Sequence, residues 1–257
     1  MDSNSNLPEP VAGVPAPVLE GGQAKAPGKM TLGDIFSKAF ELYRENPIMI
    51  VPSLVPIAAL IVGLVIFAGF VGVAAILGGD GLLAFSALGG LLIFIIILIV
   101  LFFMAEGVTI EMILQASAGN KADLTLAWEA SKGKMEPLIL SSVLAGIITV
   151  LGYVLLIIPG IILSVIFYFV AQAVMITGKS GMDALKTSYN FVKTNLSDAV
   201  IIIIVSVVIS VVLPMIPLIG ALLSLLALPY IYALATLFYT DRAEMPPAKP
   251  ETRVDIP

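Results

Sequence analysis

Residues 137–177 read PLILSSVLAGIITVLGYVLLIIPGIILSVIFYFVAQAVMIT, 41 residues without an Asp, Glu, Lys or Arg. One helix crosses a bilayer with about 20 apolar residues. The run is therefore two crossings, and Pro159-Gly160 is the expected turn between them. Residues 199–240 repeat the arrangement, 42 uncharged residues interrupted around Pro214 to Gly220. Upstream, 47–77 and 82–105 are uncharged runs of 31 and 24 residues, separated by a turn that holds Asp80. The count is six spans, near 48–72, 84–105, 138–158, 160–177, 199–216 and 220–239. Hydrocarbon offers the backbone no hydrogen bonds, so each span must pair its own N–H groups as a helix. Solid apolar runs such as 91–100 do not alternate as barrel strands would.

Composition agrees. Of 257 residues, 59% are hydrophobic and 12% charged, against about 25% charged in soluble domains. That excludes an ordinary soluble enzyme and a disordered chain. A net charge of −5 leaves no basic footprint for nucleic acid. The chain has neither Cys nor His, which removes disulfides, thiolate zinc sites, Cys nucleophiles and the imidazole of a Ser–His–Asp triad. No cofactor or metal motif is found: there is no phosphate loop, G-x-G-x-x-G or H-E-x-x-H. Residues 1–29 and 241–257 are expected to be disordered tails, too poor in large apolar groups to offset their ordering entropy. The first apolar run begins too far in, and is too long, for the core of a cleaved signal peptide.

All 13 Lys and Arg lie before span 1, between spans 2 and 3, between spans 4 and 5, or after span 6. The positive-inside rule then puts both termini and the two long loops in the cytoplasm of a multi-pass plasma-membrane protein. Those segments carry a pattern. Thr31 to Asn46 reads as an amphipathic helix, with Asp34 completing a capping box on Thr31 and with Leu32, Ile35, Phe36, Ala39, Phe40 and Tyr43 at helical spacing. Such a helix is expected to lie in the headgroup plane with its aromatics buried. Residues 35–46 align without gaps on 184–195, pairing Ala39 with Ser188, Phe40 with Tyr189, Arg44 with Lys193 and Asn46 with Asn195. A fainter copy holds Ala127, Trp128 and Lys132. The expected architecture is all-α: six transmembrane helices in three hairpins, each preceded by an interfacial helix, near 31–46, 123–135 and 181–195.

The stretches 32–46, 158–163 and 181–189 resemble a large uncharacterised prokaryotic family of six-span membrane proteins. They are similar to the membrane domain fused to some glycerophosphoryl diester phosphodiesterases. The resemblance spans roughly residues 31–240 and implies fold and location. The phosphodiesterase barrel, with its catalytic His, has no counterpart in this sequence.

Candidate sites are few. Phe40, Arg44, Trp128, Lys132, Tyr189 and Lys193 are candidate contacts to headgroups or a partner; the plain alternative is that each helix merely anchors its hairpin. Gln172, on one side of its helix with Tyr168, is a candidate intramembrane site, or an amide bonding a neighbouring helix. Glu106 and Glu111 are read as solvated at the end of span 2, so no charge is expected well inside any span. Tyr153, Tyr230 and Tyr232 read as belt residues. Pro52, Pro56 and Pro229 would kink or break helices, as in transporters. The leading expectation is a non-enzymatic scaffold or accessory component whose partners are the bilayer and another membrane or cytoplasmic protein. The alternatives are a transporter or channel for a small or lipophilic solute, and a membrane enzyme.

Overall fold

A computed structural model describes residues 29–76 and 81–243. The expected tails therefore lie almost wholly outside the described residues. Ten α-helices and no strand occur among the described residues. They are α1 Leu32–Glu45, α2 Val51–Ile76, α3 Gly81–Ser117, α4 Leu124–Lys132, α5 Met135–Leu155, α6 Ile157–Ile166, α7 Val170–Thr177, α8 Gly181–Thr194, α9 Leu196–Val212 and α10 Gly220–Arg242. Six segments are long and apolar enough to cross a membrane: Pro47–Val73, Ser86–Ser117, Met135–Leu155, Ile157–Thr177, Leu196–Met215 and Gly220–Arg242. Their outer surfaces are greasy; Ile66 and Val154 are 67% and 76% exposed. Such a surface is costly in water and neutral in lipid.

The number of helices long and apolar enough to span equals the expected six, but the boundaries differ at two places that matter. The second helix does not stop at residue 105; α3 runs on to Ser117. Glu106, the first charge after residue 105, does not end it, and Glu111 is paired with Lys134 at 2.6 Å and so is accommodated inside the protein. The turn between the third and fourth spans is not at Pro159-Gly160. Leu156 makes it, in extended conformation, and Pro159 sits in the first turn of α6. A proline there forfeits no helical hydrogen bond, because first-turn N–H groups have no partner anyway. Gly160 serves close packing instead: a Cβ on it would fall 2.3 Å from the Tyr153 ring.

The fourth span is broken in the middle, between α6 and α7. In a continuous helix the Val170 N–H would bond the Ile166 carbonyl; here it bonds Phe167 O at 3.2 Å. The released Ile166 carbonyl accepts a bond from Ser188 Oγ of α8 at 2.7 Å. Hydroxyl side chains commonly repair such breaks in membrane helices. The break lets Phe169 enter a cluster with Phe191, Phe238 and Tyr239, ring centroids 5.0, 5.6 and 6.4 Å away. α2 runs through Pro56 and α10 through Pro229, so neither proline ends its helix.

The capping box on α1 forms: Asp34 N–H donates to Thr31 Oγ1 at 3.2 Å and Thr31 N–H to Asp34 Oδ2 at 3.1 Å. The buried side of α1 is Ile35, Ala39 and Leu42, and it lies against α10. Leu42 was absent from the expected stripe, and Phe40, which was in it, points outward at 59% exposure. The helix seats its aliphatic stripe on protein and turns one aromatic away, because Phe40 lies about 100° round the helix from Ala39.

Candidate functional site

Two groups of polar residues stand out, one at the end of the bundle and one in its middle. At the end, hydrogen bonds tie together the helix termini. Asn46 Oδ1 accepts from Ala122 N–H at 2.9 Å, joining the end of α1 to the loop after α3. Lys134 Nζ donates to Glu111 Oε1 at 2.6 Å and to the Met175 carbonyl at 2.7 Å, joining α3, α5 and α7. Arg242 donates to the Met30 carbonyl at 2.8 Å and to Asp198 at 3.2 Å, joining α10, α9 and the lead-in to α1. It also pairs with Asp241. A buried guanidinium is tolerable because its fork is shared among acceptors.

Around this end lie α1, α4 and α8. In each, a fully buried small residue precedes an outward aromatic. Ala39, Ala127 and Ser188 are 0% exposed, whereas Phe40, Trp128 and Tyr189 are 59%, 37% and 43% exposed. Arg44, Lys132 and Lys193 follow four residues later, on the aromatic's side of the helix. Lys193 Nζ lies 5.9 Å from the Tyr189 ring centre, and Lys132 is held by Glu129 at 2.5 Å. Asn46 and Asn195 end α1 and α8 identically, each Nδ2 donating to the carbonyl four residues back at 3.0 Å. All six residues singled out in these helices are therefore placed at one end of the molecule.

The middle of the bundle holds the charge that the sequence reading assigned to solvent. Glu106 is half-buried on α3, eleven residues before its end at Ser117. Tyr168 is nine residues before the end of α7, Tyr232 ten before the end of α10, and Ser206 ten after the start of α9. At 1.5 Å per residue each lies about 15 Å from that helix end, and Glu106 lies about 7.5 Å inward of Glu111 along α3. Tyr168 and Tyr232 are within electrostatic reach of Glu106, and Tyr168 engages Ser206. Tyr232 is half-buried and lies mid-helix, ten residues from the end of α10, and not at a span end as a belt residue would. Glu111 was misplaced as well; it is 8% exposed and ion-paired. Both errors follow from ending the span at residue 105. The two carboxylates do not share a site, as their spacing of five residues indicated: Glu111 meets Lys134, and Glu106 lines a cavity with Tyr168.

Gln172 is 2% exposed, one turn beyond Tyr168. The expected bond to a neighbouring helix is not made through its carbonyl: Oε1 has no partner among the described residues, and neither has Thr236 Oγ1, one turn beyond Tyr232. Beside Glu106 is a cavity of about 350 Å³, lined also by Ser142, Thr149, Ser164 and Tyr168. Val150 and Tyr153, 59% and 44% exposed, place its mouth on the outer surface of the bundle. Tyr153 OH is 3.0 Å from Ser164 Oγ, which in turn donates to Gly160 O. The Ser142 and Ser164 hydroxyls and the extension of α3 are the signals that sequence reasoning passed over. Among the described residues no group of three or more acidic side chains is placed to hold a metal ion.

No curated protein and no solved structure matches this sequence. The model of a domain of unknown function, DUF7847, matches residues 85–250, which includes Glu106, Tyr168, Gln172 and Tyr232 and leaves α1 and α2 outside. The described residues are all-helical, with six helices long and apolar enough to span a membrane, and the chain belongs to the DUF7847 family.

Proposed function

We propose that this is a non-enzymatic, multi-pass scaffold or accessory protein of the plasma membrane, with both termini cytoplasmic. Its working surface is the collar formed by α1, α4 and α8, each an interfacial helix leading into a helical hairpin. The observation that carries the reading is the threefold recurrence of buried small residue, outward aromatic and basic residue at the same helical spacing. Aromatic and basic groups together suit the level of the phosphate headgroups. The same burial pattern supports an internal repeat of three units. The likeness to the membrane domain of glycerophosphoryl diester phosphodiesterases adds fold and location to this reading, and no activity.

The test is purification from native membranes in mild detergent, followed by native mass spectrometry. Wild type is compared with a variant combining Phe40→Ala, Arg44→Gln, Tyr189→Ala and Lys193→Gln. A partner or lipid held stoichiometrically by wild type and lost from the folded variant supports the collar. Identical companions in both refute it. A second reading, transport of a small or lipophilic solute, is favoured by Glu106 at mid-bundle, since intramembrane charge marks solute pathways by default.

A further inference from the structure

We propose that the cavity beside Glu106 is a binding site for a lipophilic organic cation that enters from the bilayer. The site rests on three observations. First, Glu106 lies about 7.5 Å deeper along α3 than the Glu111–Lys134 pair, within a span long and apolar enough to cross a membrane, and no ion pair or hydrogen bond from another side chain reaches its carboxylate among the described residues. A carboxylate there lacks the cationic partner that such groups normally have. Second, the cavity offers about 350 Å³, within the range of small-molecule sites. Its hydroxyls, from Ser142, Thr149, Tyr153, Ser164 and Tyr168, orient a polar head. The Tyr168 ring adds a π face for a cation. Third, its mouth opens on the apolar outer surface beside Val150 and Tyr153, so the ligand must be soluble in lipid. A hard metal ion would need several charged oxygens, and only one carboxylate lines this cavity. The remaining choice is a bulky monovalent cation, such as a tertiary amine or a quaternary onium. The site is independent of the collar and deepens the transport reading, which requires binding here, whereas binding does not require transport.

The probes are tetraphenylphosphonium and tetraphenylborate, equal in shape and opposite in charge. Binding is measured by titration calorimetry on the full chain in phosphatidylcholine nanodiscs, against empty nanodiscs. Wild type is expected to bind the phosphonium saturably. Glu106→Gln should weaken it roughly tenfold or more, the usual worth of a charged partner in a dry site, and Glu106→Asp should retain most of it. Tetraphenylborate should gain no saturable binding from Glu106. A second measurement uses wild type alone: a lipophilic carbodiimide modifies Glu106, read by peptide mass spectrometry, and the phosphonium should protect it while the borate does not. Equal phosphonium affinity in wild type and Glu106→Gln, or labelling unaffected by the phosphonium, overturns the site. Binding without phosphonium flux in proteoliposomes keeps the site and removes the transport reading.

Discussion

Lys134→Met should be the most damaging conservative change at the charged end of the bundle. Lys134 reaches Glu111 and the Met175 carbonyl, and the two side chains of the pair are 34% and 10% exposed. Removing one partner of a fully buried pair costs about 3–5 kcal/mol, mostly from the charge left behind. Here the lysine is open to water on one side, so we discount this to about 2–3 kcal/mol. The reverse change, Glu111→Gln, strands the more exposed partner, which can hydrate, and should cost only about 1 kcal/mol. The double variant Glu111→Leu/Lys134→Met leaves no stranded charge and should fall within about 1 kcal/mol of wild type. Reversible unfolding in mixed detergent micelles, followed by circular dichroism, gives all four corners of the cycle. If Lys134→Met costs no more than Glu111→Gln, or the double variant is no better than Lys134→Met alone, the pair is not held as described.

Three further outcomes follow from the geometry. Gly220→Ala places a Cβ 2.4 Å from the backbone oxygen of Leu213, which cannot swing aside, and should cost about 1–3 kcal/mol; Gly146→Ala, with nothing within 4 Å, should be neutral or slightly stabilising by the same unfolding assay. Asn46→Ala leaves the buried Ala122 N–H unpaired and should cost about 1–3 kcal/mol, with faster hydrogen exchange at Ala122 as its local signature. Hydrogen bonds from Thr31 hold the Asp34 carboxyl below its ordinary value of 3.8. Its contribution is therefore complete above that value and lost as pH falls through the lowered one. The stability difference between wild type and Asp34→Asn should be largest at neutral pH and vanish in acid; a gap that persists in acid would refute the cap as its source.

Much of the fold is legible in the sequence because hydrocarbon imposes so few options. Uncharged runs twice the length of a span, at 137–177 and 199–240, give the number of helices directly. The Thr31–Asp34 box and the paired asparagines are local chemistry, visible without tertiary context. What escaped reading depended on contacts between helices. α3 passes its two glutamates because Lys134, from the far side of a loop, meets one of them. The turn moved from Pro159 to Leu156 because Gly160 was needed against Tyr153. The break before α7 has no Pro or Gly to announce it; it exists because Phe169 has an aromatic cluster to enter and Ser188 repairs the ladder. The mid-bundle site was missed for the same reason, since a carboxylate that looks terminal on one helix is central once that helix is longer.

The bond from Ser188 to the Ile166 carbonyl also links two parts of the molecule that are otherwise distant in role. α8 lies along one end of the bundle, yet its hydroxyl grips the fourth span where that span has no continuous ladder to stiffen it. Two residues past the grip is Tyr168 and, across from it, Glu106. The bond ties α8 directly to the cavity wall, which Phe167 and Tyr168 line just past the grip.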